Sequence, residues 1–201
     1  MASSFRTTRI VIGVVLLVLV GGLLFLDYRL ASRTAVSAVV VVLGLWGYVE
    51  YGRIARLGER AAGGGPLAFA WGFLGTAYFL TLAWVEGTCG PAPPEFLVGG
   101  VALLVLGCFL GAIARSDFLA VFPRLLACLL GVVLFGLLFS YVLRIYHRGE
   151  PKEALLRGLV FFLGVKGTDI TAYLVGTAVG RTHFLKVSPG KTLEGSTAAL
   201  L

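Results

Sequence analysis

Long runs of apolar residues, separated by short polar connections, dominate this chain of 201 residues. A helix needs about 20 predominantly apolar residues to cross a bilayer, and the runs are of that length. The pattern predicts an all-α fold, a polytopic transmembrane helix bundle with about six spans plus the start of a seventh, in a single membrane domain over residues 1–201. The predicted spans are roughly 10–28, 34–50, 66–85, 96–114, 124–145 and 154–180, and the seventh begins near Thr192.

Composition supports a membrane environment and changes the meaning of the net charge. Hydrophobic residues make up 58% of the chain and charged residues 13%, whereas about a quarter of a soluble domain is charged. The formal charge is +7, but the basic residues lie in short connections, as the positive-inside pattern and anionic lipid headgroups favour. We therefore expect membrane lipids as partners and no nucleic acid. With the N-terminus inside, the connections on the cytoplasmic side carry more Lys and Arg, and the loop over 181–191 faces the cytoplasm.

The sixth predicted span contains two ionisable residues, Lys166 and Asp169. Each costs about 2.5–3.5 kcal/mol inside a bilayer on insertion scales, and such residues usually face a bundle interior or a wet cavity. At about 100° per residue, Asp169, Tyr173, Gly176 and Gly180 fall within an arc of roughly 60°, with Lys166 at its margin. The face could be a functional site. It could equally be an intrahelical ion pair beside a Gly-x-x-x-Gly packing motif.

A short basic loop follows this span and leads into a new helix. Its sequence from Ser188 is Ser-Pro-Gly-Lys-Thr, ending at Thr192. Ser188 is a candidate N-cap with Pro189 in the first helical position, or Thr192 caps the helix proper. Either arrangement brings free backbone N–H groups, a hydroxyl and the Lys191 ammonium together where an anion could bind. The alternative is a capped helix start with solvated lysines.

Together these residues resemble the core of the bacterial phosphatidate cytidylyltransferases, also called CDP-diglyceride synthases. The resemblance covers 166–195 and has two parts, Lys166-x-x-Asp169-x-x-Ala172-Tyr173-x-x-Gly176-x-x-x-Gly180 and Ser188-Pro189-x-Lys191-Thr192-x-Glu194-Gly195. It implies transfer of CMP from CTP to phosphatidic acid, giving CDP-diacylglycerol and pyrophosphate in phospholipid biosynthesis. It also implies assistance by Mg²⁺, a place in the bacterial cytoplasmic membrane with the active side in the cytoplasm, and a possible homodimer.

The resemblance also implies roles for individual residues. Asp169 would help hold the metal, and Lys166 would contact a phosphate group, so both are candidate catalytic residues. No nucleophilic side chain is required, because the lipid phosphate itself attacks. The remaining residues implied to bind CTP or its phosphates are Tyr173, Ser188, Lys191, Thr192 and Glu194, and within this set Glu194 is expected to tune the loop.

One part of the family pattern is missing. The family carries a His-Gly-Gly stretch followed by Asp-Arg and another Asp beyond this region, and none of these follows Glu194 before Leu201. We therefore expect the 201 residues to be a fragment that lacks part of the site. Alone, they are expected to be inactive or nearly so.

Three other interpretations of the sequence stand beside the cytidylyltransferase interpretation. A CTP-dependent lipid kinase of the polyprenol or phytol type would phosphorylate an alcohol and share the nucleotide region. A nucleotide-independent transporter subunit would line an ion path with Lys166 and Asp169, with Gly164 and Gly167 breaking the helix. A decayed, purely structural membrane protein would lose no activity on substitution of Asp169 or Lys191.

Overall fold

The computed structural model describes residues 2–57, 66–113, 118–182, 188 and 190–200, and these residues are helical apart from short connections. The all-α prediction is confirmed. The chain divides into two compact units, Met1–Ala154 and Leu155–Leu201. The elements are α1 (Ala2–Arg29), α2 (Thr34–Ile54), α3 (Pro66–Cys89), α4 (Pro94–Ile113), α5 (Phe118–Val132), a π-helical segment (Val133–Leu138), α6 (Phe139–His147), α7 (Pro151–Val179) and α8 (Leu193–Ala198).

Proline marks the start of three helices. Pro66, Pro94 and Pro151 are the first residues of α3, α4 and α7. The first helical position has no intrahelical partner for its N–H group, so the missing donor of proline costs nothing there, and its fixed φ favours the helix. These helix starts therefore follow from local sequence.

Helix α3 is at the centre of the first unit and packs against α2, α4, α5, the π-helical segment and α6. The core around it includes the fully buried side chains of Tyr48, Phe79 and Val132. A Cβ atom on Gly72 of α3 would lie 1.9 Å from the Tyr48 hydroxyl oxygen. Only glycine can occupy that position without moving the Tyr48 ring.

Four helices are long and apolar enough to span a membrane, the pattern of a polytopic membrane protein. They are Thr34–Ile54, Ala68–Cys89, Phe122–His147 and Lys152–Val179. They match the second, third, fifth and sixth predicted spans. The first and fourth predicted spans coincide with α1 and α4 and stay predictions as spans, since the apolar stretch of α4, Pro94–Leu110, is shorter. The predicted start of a further helix near Thr192 is confirmed by α8, which begins at Leu193.

Candidate functional site

The charged pair of α7 is an ion pair within one helix. The Lys166 Nζ and Asp169 Oδ2 atoms are 3.8 Å apart, and the two side chains are 45% and 71% exposed. The predicted proximity is therefore confirmed. The pair lowers the cost that each charge would carry alone in an apolar helix. Tyr173, one turn further on, is also exposed.

Gly176 of α7 faces α8, within the second unit. A Cβ atom on Gly176 would lie 3.0 Å from the Thr192 Oγ1 atom. One on Gly195 would lie 2.5 Å from the Ala172 carbonyl oxygen and 2.9 Å from the Gly176 Cα atom. The backbones of α7 and α8 therefore lie close together, because glycine has no side chain to separate them. Gly176 thus serves helix packing. Of the two uses the sequence left open for this glycine, the structure assigns contact with a neighbouring helix.

Thr192 caps α8. Its side-chain oxygen accepts a hydrogen bond of 3.2 Å from the Gly195 N–H group, and the residue is only 5% exposed. Of the two N-caps proposed from the sequence, Thr192 is the one observed. The Ser188 carbonyl oxygen accepts a hydrogen bond from the Lys191 N–H group at 3.1 Å, which holds these two residues close together. Pro189 lies outside the described residues, and Lys191 is exposed.

The carboxylate of Glu194 faces the backbone where α7 ends. Its Oε1 atom accepts a hydrogen bond from the Thr182 N–H group at 3.1 Å, and Oε2 accepts one from the Arg181 N–H group at 3.2 Å. Hydrogen bonds from its own backbone N–H and from Thr182 and Arg181 lower the pKa of the Glu194 carboxyl to about 2. Glu194 is therefore ionised at neutral pH and already has hydrogen-bond partners.

The described residues contain no cluster of three His, Cys, Asp or Glu side chains that could hold a metal ion. Asp169 is an exposed carboxylate in the middle of α7, with Lys166 as its present partner. One carboxylate is compatible with Mg²⁺, which usually keeps several waters and binds one or two carboxylates together with substrate phosphates. The arrangement therefore fits a metal that arrives with a nucleotide.

A buried polar cluster in the first unit was not predicted from the sequence. The Asp27 carboxylate is 1% exposed and accepts hydrogen bonds from the Ala35 N–H (3.0 Å), the Val36 N–H (2.9 Å), the Ser32 hydroxyl (3.1 Å) and the Tyr146 hydroxyl (3.0 Å). Asp27 thus supplies the N-cap of α2 from the end of the preceding helix. An acidic residue directly after an apolar run was the available signal.

Two further contacts extend this cluster. The Ser37 Oγ and His147 Nε2 atoms are 2.7 Å apart. The Arg33 guanidinium donates to the carbonyl oxygens of His147 and Gly149. Since the last carbonyls of a helix have no intrahelical donor, Arg33 serves as a C-cap for α6.

The family model of the cytidylyltransferase family matches residues 7–201. The chain belongs to the cytidylyltransferase family. This family includes CDP-diacylglycerol synthase, so the resemblance seen in the sequence is confirmed at the level of the family. Membership supports CTP-dependent nucleotidyl transfer as the general chemistry. No curated protein and no solved structure matches the chain.

Proposed function

We propose that this cytidylyltransferase transfers CMP from CTP to phosphatidic acid. The observation that carries the proposal is the family match over 7–201 in a chain with four helices able to span a membrane, since such a protein meets its acceptor in the lipid phase. A phosphate oxygen of phosphatidic acid forms a bond to the α-phosphorus of CTP. The bond from that phosphorus to the bridging oxygen of the β-phosphate breaks, and pyrophosphate leaves with the electron pair.

The residues of the second unit supply positive charge and position for this reaction. Transfer of this type depends mainly on positioning and charge stabilisation, which suits a site without a nucleophilic side chain. We assign Lys191, with Ser188 held beside it, to the triphosphate. Lys166 is assigned to a phosphate group and Tyr173 to the nucleotide. Lys166 must exchange its contact with Asp169 for a contact with the phosphate, so it keeps an anionic partner.

Mg²⁺ belongs to the proposal, with Asp169 as one of its ligands. When bound, the ion would neutralise part of the phosphate charge. Asp169 would then hold its carboxylate toward the nucleotide and away from Lys166. The orientation with the active side in the cytoplasm of a bacterium, and a homodimer, are proposed on the same resemblance.

Labelled CTP tests the reaction. The product of the complete reading frame that carries residues 1–201 is reconstituted in vesicles containing phosphatidic acid and Mg²⁺. Label from [α-³²P]CTP is expected in the lipid, and label from [γ-³²P]CTP in pyrophosphate. Lipid labelled only from the γ-position would establish a lipid kinase instead, and solute flux without nucleotide would establish a transporter. The same assay on residues 1–201 alone tests whether this stretch lacks part of the site.

A matched pair of lysine variants tests the assignment of Lys191. Lys191→Ala is expected to raise the KM for CTP by about 10–100-fold, the range for losing one hydrogen bond to a charged group. Lys152→Ala, which removes an exposed lysine from the first turn of α7, is the control and should leave KM unchanged. Equal effects of the two substitutions would contradict the assignment, because they would reflect net charge alone.

A further inference from the structure

The segment that carries Ser188 and Lys191 is closed at its base by described contacts. The Leu193 N–H group donates to the Thr182 carbonyl oxygen at 2.8 Å, so the two ends of the segment over 182–193 lie side by side. Helix α7 ends at Val179, and the Arg181 and Thr182 N–H groups lie in the connection that follows it. Glu194 supplies their acceptors, which ties the exit of α7 to the first turn of α8.

Glu194 is poorly suited to contact the nucleotide itself. Both of its oxygens already accept backbone hydrogen bonds, and Thr182 reaches both of them, at 3.1 and 3.3 Å. A carboxylate at neutral pH also repels a triphosphate, and at close range this repulsion is substantial. Its position is fixed from the other side too, because Thr192 caps α8 and packs against Gly176.

We propose that Glu194 is a positioning residue, which closes the 182–193 segment through the Arg181 and Thr182 amides and so holds Lys191 where the triphosphate binds. It touches neither the nucleotide nor the metal. The inference rests on the proposed function for what Lys191 binds. The closure itself rests on the hydrogen bonds alone.

The experiment compares Glu194→Ala and Glu194→Gln with wild type, in the complete protein. The control Glu95→Gln removes an exposed acid from the first turn of α4. Three quantities are measured: hydrogen exchange of the Arg181 and Thr182 amides, the Kd for CTP, and the Mg²⁺ concentration that gives half-maximal CTP binding. We expect Glu194→Ala to speed exchange and raise the Kd, each by about tenfold, with an unchanged Mg²⁺ midpoint.

The conservative variant separates positioning from ligation. Glutamine keeps one carbonyl acceptor, so Glu194→Gln should fall between wild type and Glu194→Ala in both exchange and Kd. A shifted Mg²⁺ midpoint in Glu194→Gln would overturn the proposal by making Glu194 a metal ligand. Unchanged exchange in Glu194→Ala would overturn the closure. If wild type does not bind CTP, the proposed function fails, and the exchange comparison still decides whether Glu194 closes the segment.

Discussion

The hydrogen bond between Asp27 and Tyr146 joins α1 to α6 and can be measured in isolation. Tyr146→Phe removes the donor, Asp27→Ala removes the acceptor, and the double variant completes a thermodynamic cycle. Two of the other three donors to the Asp27 carboxylate are backbone N–H groups, which cannot accept a hydrogen bond from the Tyr146 hydroxyl when the carboxylate is removed. The coupling free energy of the cycle therefore reports this contact.

The environment of the Asp27–Tyr146 hydrogen bond determines how large its coupling free energy should be. Hydrogen bonds to charged groups in soluble proteins contribute about 1.5–3 kcal/mol. Contacts between membrane helices measured by double-mutant cycles average about 0.6 kcal/mol and reach about 1.7. Because Asp27 is 1% exposed and Tyr146 is 5% exposed, we expect a coupling of about 1–1.7 kcal/mol. Asp27→Ala alone should cost about 2–5 kcal/mol, because it also removes the N-cap of α2 and leaves a buried hydroxyl unpaired.

Equilibrium unfolding by SDS in mixed micelles, followed by tryptophan fluorescence, gives the four free energies of unfolding. Tyr141→Phe, in the same helix as Tyr146 but with a side chain 47% exposed, is the matched control and should change stability by less than about 0.5 kcal/mol. If the effects of Asp27→Ala and Tyr146→Phe simply add, the hydrogen bond contributes nothing. The account of the buried cluster would then be refuted.

Two further predictions concern the second unit. Gly195→Ala should force α8 away from α7, because the added methyl group meets backbone atoms; Gly164→Ala, where nothing lies within 4 Å, should stabilise α7 by about 0.5–1 kcal/mol. Thermal unfolding of both variants checks this, and equal effects would contradict the close packing. The Glu194 carboxyl, with its pKa lowered from an ordinary 4.5 to about 2, contributes stability that is complete above about pH 4.5 and lost as pH falls toward 2. The Thr182 amide resonance should therefore stay constant from about pH 5 to 8 and titrate near pH 2, and a midpoint near 4.5 would exclude the contact.

Local sequence was sufficient for the helices and for the composition of one helix face. Apolar run length and proline placed α3 and α4, and a spacing of three residues placed Lys166 beside Asp169. Local sequence could not identify contacts between residues that are far apart in the chain. Tyr146 reaches Asp27 across 119 positions, and Glu194 meets Thr182 across 12, so both contacts depend on how the chain folds back. The same holds for Gly176, whose neighbour could be identified only once α8 was in place.

The π-helical segment Val133–Leu138 lets the span that contains it lose one residue without a change of register on either side. A π-helical turn closes its hydrogen bond five residues along the chain, one more than an α-helical turn, so it accommodates an extra residue. Deleting one residue within the segment would remove the extra residue and restore regular α-helix, with the stretches before and after it still in phase. Tyr146 and His147 would therefore still face Asp27 and Ser37. Homologous chains that lack one residue in this segment should therefore have an uninterrupted α-helix here and still keep those polar partners.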